Sequence, residues 1–246
     1  MSKQVVAVDK AFLEKLAGFS DFLKEGLKEL KAKKEPKKKR VTRKPSYKAS
    51  DEDLKQARET IPPQWAKSLK TILFPQQKIE ARLKEMAAEI SHDYQGKEIL
   101  AVGLLTGCIM FQMNLLKYLT VPYKLDFIKV SSYGSGTQSS GNVRLKKDLS
   151  MDPMGKHILI TEDLIDTGKT LAFIAKYFSD KKCASVKIAC LLSKEARRDQ
   201  DIDLEVDYCG FECPDEFVVG YGMDFAEHYR ALPFVGVLKE EAFMKK

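Results

Sequence analysis

The sequence predicts an α/β fold: a mostly parallel, twisted sheet with helices on both faces. Two observations carry this. From about Pro75 onward, short apolar runs of strand length alternate with stretches whose apolar residues recur at helical spacing. That alternation implies crossover connections, hence parallel neighbours in a sheet covered on both sides. Sheets of this kind bind ligands beyond the carboxyl ends of their strands, so the chemistry should be sought there.

Before that pattern begins, the chain has a different texture. Residues 10 to 31 put Phe12, Leu16, Phe19, Leu23 and Leu30 on one helical face with Lys and Glu opposite. This amphipathic helix would pack on the main domain or on a second subunit, with membrane-surface binding as the competing use. The following KKEPKKKRVTRKPSYK repels itself, and Pro36 and Pro45 block helix continuation, so a solvated linker is expected. Pro36 to Val41 also fits the short basic pattern read by nuclear import receptors or polyanions. Residues 50 to 72 read as one or two short helices interrupted by Pro62-Pro63, with Trp65 as the apolar anchor. The expected division is therefore 1–72, an N-terminal extension, and 73–246, the main domain.

In the main domain, Gln76 to Tyr94 is a helix with Ile79, Leu83, Met86, Ala87 and Ile90 inward. A strand from Glu98 to Leu105 ends in Thr106-Gly107, and a helix from Ile109 to Leu119 follows. Next come strand Lys124 to Val130, a polar loop Ser131 to Gly141, and a strand Asn142 to Lys146. His157 to Thr161 is a buried strand, succeeded by a turn, a helix through Phe178 and strand Val186 to Leu192.

Bulk composition narrows the function. Hydrophobic residues at 44% and charged residues at 31% exclude disordered and fibrous classes. No apolar stretch approaches the roughly 20 residues of a spanning helix, and no secretory signal or presequence pattern opens the chain. The net charge of +7 is misleading, because Lys31 to Lys48 alone holds ten Lys or Arg against one Glu, leaving the remainder slightly acidic. Five cysteines without a Cys-x-x-Cys pair and three histidines away from zinc spacing point to a reduced, cytoplasmic protein without a structural metal, with nuclear entry conceivable if the chain is eukaryotic.

The most informative stretch is ILITEDLIDTGKT, residues 158 to 170. A strand ends in Glu162-Asp163, and Asp166-Thr167-Gly168-Lys169-Thr170 opens a helix. Free N–H groups at that helix start, beside the Thr167 and Thr170 hydroxyls, form a cradle for a phosphate dianion. The triphosphate-binding P-loop is excluded, because it needs a glycine where this chain has Asp163, and three carboxylates would repel a triphosphate. A sugar phosphate fits instead: the helix holds the anionic end, and vicinal hydroxyls donate to Glu162 and Asp163.

Residues 158 to 170 resemble the phosphoribosyl-pyrophosphate motif of type I phosphoribosyltransferases, closest to the hypoxanthine-guanine branch. SSYGSGTQSSG at 131 to 141 resembles that family's mobile loop, and YCGFECPDEFVVGYGMDFAEHYR at 208 to 230 its base-binding hood and pyrophosphate segment. The similarity runs from about Leu73 to Ala242. It implies transfer of a 5-phosphoribosyl group to N9 of a 6-oxopurine, giving IMP or GMP and pyrophosphate, with Mg2+ as cofactor.

The resemblance also implies roles. Asp166 matches the general base facing purine N7. Glu162 and Asp163 match the pair that holds ribose hydroxyls and the metal, and Asp166 to Thr170 the 5′-phosphate cradle. Lys194 matches the donor to the purine 6-oxo group, Phe217 the stacking ring and Val218 the backbone edge reader. Asp224 and Arg230 match the magnesium and pyrophosphate contacts, and Ser132 and Tyr133 the closing contacts of the loop. One departure stands out: Thr106 precedes Gly107 where the family usually has a lysine, which removes a cation from the pyrophosphate site. The resemblance implies a cis peptide at Leu105-Thr106 and a homodimer or homotetramer. The rival class is a regulator of the same fold that binds nucleic acid through its basic segment.

Overall fold

The computed structural model describes residues 51–132 and 143–244. The amphipathic segment, the basic run, most of the polar loop and Tyr133 lie outside the described residues.

The described chain opens with α1 (Asp51–Thr60) and α2 (Pro63–Ser68), separated by the Pro62-Pro63 break. It runs directly into β1 (Leu69–Phe74), then α3 (Gln76–Asp93), β2 (Ile99–Leu104), α4 (Cys108–Leu116), β3 (Tyr123–Ser132) and β4 (Val143–Lys147). The second half holds β5 (His157–Ile165), α5 (Lys169–Asp180), β6 (Ser185–Ser193), a 3-10 turn (Glu195–Arg197), β7 (Tyr208–Glu212), β8 (Val218–Val219), β9 (Val235–Leu238) and α6 (Glu240–Phe243).

Six strands form the main sheet in the order β4-β3-β2-β5-β6-β7. All neighbours are parallel except β4, which returns antiparallel along the outer end of β3. Every residue of β2 is buried, as a central strand covered on both faces requires. The inward stripe of α3 packs with Phe111 and Leu115 of α4 on one face. Leu171, Ile174 and Phe178 of α5 cover the other.

Three elements differ from the sequence expectation. Ser131 and Ser132, expected in the polar loop, extend β3 because they pair with Arg144 and Val143 of β4. The strand expected to stop at Thr161 continues to Ile165, because its ladder with β6 carries on through Glu162↔Cys190 and Leu164↔Leu192. The acids are therefore on the strand itself and alternate between its faces. The boundary expected between residues 72 and 73 falls inside β1, which pairs antiparallel with β9 in a second, three-stranded sheet ordered β1-β9-β8. Leu69, Ile72 and Phe74 are buried in that arrangement, so burial holds the segment as a strand. Trp65 packs with Ala57, Ile61, Tyr229 and Leu232 on the same small sheet, as its role of anchor anticipated.

Candidate active site

The site is assembled where the parallel strands end. After β2, the Leu105-Thr106 peptide is cis, as the resemblance implied, and Thr106 is exposed. Gly107 then passes so close to β5 that a Cβ there would lie 1.9 Å from Asp163 Oδ2. A side chain at this position would have to displace the Asp163 carboxylate.

After β5, the chain turns through Asp166, Thr167 and Gly168. Gly168 caps α5 with φ +87, a conformation that costs other residues but not glycine. Its carbonyl accepts from Ala172 N at 2.9 Å, and the Thr167 hydroxyl accepts from Lys169 N at 3.5 Å. The remaining N–H groups of the first turn have no intrahelical acceptor, so the start of α5 presents free donors.

The acids beside it are poorly solvated. Glu162 Oε2 is out of reach of water and has no hydrogen-bond partner. Burial first, then the neighbouring Asp163 charge, pushes its carboxyl well above the usual range. Burial likewise raises Asp163 to about 6, against the pull of main-chain N–H groups and the Arg230 guanidinium. Glu162 lacks the donors or cation that would favour its charged form, whereas Asp163 has both, which limits its rise.

The segment after β6 is stitched to the end of β5 and the start of α5 residue by residue. Lys194 N donates to Ile165 O at 2.9 Å, and its buried ammonium donates to Glu216 O at 2.8 Å with Asp215 Oδ1 at 3.8 Å. Arg197 Nε meets Asp166 Oδ1 at 2.6 Å. A Cβ on Gly168 would lie 3.0 Å from Arg198 Nη1. Asp199 N donates to Thr167 O at 3.1 Å, and its carboxylate pairs with Lys169 at 3.1 Å. A cavity of about 460 Å³ opens behind this seam, lined by Thr167, Ser193, Arg198, Leu204 and Cys209. A larger one, about 530 Å³, lies by Lys84, His92, Tyr118 and Val121 at the opposite ends of the strands, away from the acids.

The small sheet supplies the remaining wall. Phe217 keeps 37% of its surface exposed; one side stacks on Phe243 at 4.7 Å and Phe225 meets it edge-on at 5.6 Å. Val218 is buried in β8, paired with Val237. The chain then turns at Gly220 and Gly222, with φ +93 and +104; a Cβ on Gly222 would lie 1.8 Å from Gly107 O. Arg230 Nη1 donates to Gly222 O at 3.0 Å, and Nη2 pairs with Asp224 Oδ1 at 2.8 Å. Through Gly222 and Gly107, the Asp224 and Arg230 segment is thus in contact with the Asp163 loop.

Glu162, Asp163, Gly107, Asp224 and Arg230 are joined in one contact series, and Asp166, Thr167, Gly168, Lys169 and Lys194 in another; both start from the end of β5. Thr170 sits in the first turn of α5. Ser132 closes β3, and its backbone pairs with Val143. Arg197, Arg198, Asp215 and Gly222 were not singled out from sequence, although the two guanidinium residues lie in LLSKEARR only three and four positions past Lys194.

With this geometry established, comparison with known proteins is direct. Residues 70–226 match the phosphoribosyl transferase domain. The hypoxanthine-guanine phosphoribosyltransferase of Streptococcus pneumoniae strain R6 is 44% identical over 175 residues, spanning 71% of this chain and 96% of that protein. The chain belongs to the hypoxanthine-guanine phosphoribosyltransferase family. The family member of Bacillus subtilis is 43% identical over the same shares. A crystal structure of a hypoxanthine phosphoribosyltransferase from Staphylococcus aureus superposes with a TM-score of 0.71 at 41% identity, covering 74% of this chain and 98% of that one. These relatives of the phosphoribosyltransferase family lend no support to a nucleic-acid-binding regulator or to nuclear import. No described helix is long and apolar enough to cross a membrane.

Proposed function

We propose that this family member transfers the 5-phosphoribosyl group of phosphoribosyl pyrophosphate to N9 of hypoxanthine or guanine, giving IMP or GMP and pyrophosphate in purine salvage in the cytoplasm. The observation that carries the reading is the end of β5, where one strand delivers the unpartnered Glu162, its neighbour Asp163 and the open start of α5, while Lys194 is bonded to the same strand through Ile165.

The 5′-phosphate sits on the N–H groups of Thr167 to Thr170, at the positive end of α5. Glu162 and Asp163 accept from the ribose hydroxyls, which supplies the hydrogen-bond donors that Glu162 Oε2 lacks. The purine lies against the exposed part of Phe217, with its edge along the Val218 backbone. Lys194 donates to the 6-oxo oxygen after giving up part of its bond to Glu216 O. A 6-amino base offers no acceptor there, so adenine is disfavoured. Asp166 takes or shares the proton of the incoming purine.

Pyrophosphate leaves between the Gly107 loop and Arg230. Among the described residues no three metal-ligating side chains gather into a cluster; Glu162, whose Oε2 lacks a partner, and the neighbouring Asp163 are hard oxygen ligands, Asp224 lies near Arg230, and Mg2+ characteristically takes one or two carboxylates plus substrate oxygens. When bound, magnesium neutralises charge on the diphosphate leaving group. Closure of the Ser131 to Gly141 loop, through Ser132 and Tyr133, would keep water from the oxocarbenium-like sugar. Ile109, Met113, Tyr123 and Leu125 leave apolar surface exposed, which a homodimer or homotetramer would cover.

The test is pyrophosphate release by the full chain with the ribosyl donor, magnesium and hypoxanthine. Release that depends on all three, with IMP formed in equal amount, supports the reading. No nucleotide at saturating substrates overturns it.

A further inference from the structure

Helix α2 precedes the residues that match the family domain, yet its Trp65 reaches the turn that carries Arg230. The Trp65 ring centre lies 5.0 Å from that of Tyr229 and 6.0 Å from that of His228, and the latter two rings meet edge-on at 6.4 Å. Tyr229 is buried.

The turn itself is held in an unfavourable shape. Ala226, Glu227 and Tyr229 have φ of 51, 64 and 74, so three non-glycine residues within four positions occupy the left-handed region. Such conformations persist only where surrounding contacts fix them. Inside the turn, His228 N donates to Phe225 O at 3.0 Å and Glu227 N to Asp224 Oδ2 at 3.0 Å. Outside it, the tilted ring of Trp65 from α2 bears on Tyr229, the residue immediately before Arg230. The support is firm, because Trp65 N donates to Pro62 O at 2.9 Å, α2 runs directly into β1, and Lys239 N donates to Ser68 O at 2.9 Å.

We propose that Trp65 is a positioning residue: by packing its tilted ring against Tyr229 and His228 it holds the 225–230 turn in the shape that aims Arg230 and Asp224 at the diphosphate. The inference rests on the reading of Arg230 as a pyrophosphate contact. It makes a segment outside the family-matched stretch part of the active-site support.

Trp65 is the only tryptophan in the chain, so its fluorescence reports on the turn. Full-length Trp65→Ala should raise KM for phosphoribosyl pyrophosphate roughly tenfold while kcat and KM for guanine stay within about twofold, the signature of a lost binding contribution confined to one substrate. Trp65→Phe should restore most of the affinity. In the unaltered protein, emission should change saturably with phosphoribosyl pyrophosphate plus magnesium, with a midpoint near its KM. If Trp65→Ala does not fold, Trp65→Leu and the fluorescence titration carry the test. An unchanged KM for the donor in the Ala or Leu variant, a parallel loss of kcat and both KM values that follows stability alone, or emission indifferent to the donor would each overturn the proposal. Arg230→Ala separates the two readings. If it leaves donor KM unchanged, the role of Arg230 fails; if it raises donor KM while the Trp65 variants do not, only the positioning role fails.

Discussion

Arg197 Nε lies 2.6 Å from Asp166 Oδ1, and the same guanidinium reaches Asp215 Oδ1 at 3.4 Å. The carboxylate proposed as the base is therefore engaged by Arg197. To act, it must exchange the donor of Arg197 for the N–H of the purine. Asp166→Asn should lower kcat by roughly 10²–10⁴ with the fold intact, because a positioned proton acceptor contributes on that scale. Both partners of the ion pair are about half exposed, so Arg197→Ala should cost at most ~1 kcal/mol of stability. Steady-state kinetics and thermal melts check both, and unchanged turnover in Asp166→Asn removes the role of base.

The two glycines that lock the hood turn to the strand-end loop are equally exacting. Gly222→Ala would drive a methyl group to 1.8 Å from Gly107 O at a φ of +104, and main chain cannot step aside as a flexible side chain can. A loss of at least about 2 kcal/mol is expected, from strain and clash together. Donor KM should rise with it, because Arg230 bonds to Gly222 O. A variant with unaltered melting temperature and donor KM would show that the turn does not need this approach.

A pH-dependent contribution comes from Asp126, buried in β3. Burial alone would push its carboxyl up, but main-chain N–H groups of Phe127, Met151 and Ser150, aided by the Lys147 ammonium, outweigh that and hold it below the usual range. A lowered folded-state value means that its stabilisation is fully present above the unfolded pKa of about 3.9 and is lost as pH falls through the folded value. Asp126→Asn turns an acceptor into a donor facing other donors and should cost about 1–3 kcal/mol near pH 7. The difference in melting temperature should narrow as pH falls through the lowered folded value. A gap constant from pH 7 to pH 2 would contradict this.

Removal of residues 1–48 should leave kcat and both KM values within about twofold, since none of the proposed contacts involves them. Removal of 1–72 is a different experiment. It takes away α1, α2 and the greater part of β1, which pairs with β9 through Leu69, Thr71 and Ile72 as well as Phe74. Equal activity of the two truncations would show that β1 and Trp65 do not support the site.

What was legible in the sequence was set by local pattern. The inward stripe of α3 and the buried run of β2 are periodicities that burial alone dictates, and both are found where the spacing puts them. The EDLIDTGKT wording marks the proposed cradle because a phosphate site on a helix start needs small residues in a fixed local order. The extent of β5 was not legible: Glu162 and Asp163 look like a solvated strand end, and only the ladder to Cys190 and Leu192 on a distant segment keeps them in the sheet. For the same reason Leu69 to Ile72 read as the tail of a helical region, since its partner β9 lies more than 160 residues further on. Arg197 and Gly222 escaped notice because their significance depends on Asp166 and Gly107, which are close in space and far along the chain.

The most direct test of the whole account is the ratio of kcat/KM for hypoxanthine to that for adenine, measured side by side with guanine and xanthine at saturating phosphoribosyl pyrophosphate and magnesium. Hypoxanthine and guanine should exceed adenine by at least about 10²-fold, and Lys194→Met should collapse that ratio, because the lysine donor has an acceptor only on a 6-oxo base. Adenine used as well as hypoxanthine, or a ratio that survives loss of the Lys194 ammonium, would contradict the assignment of the site.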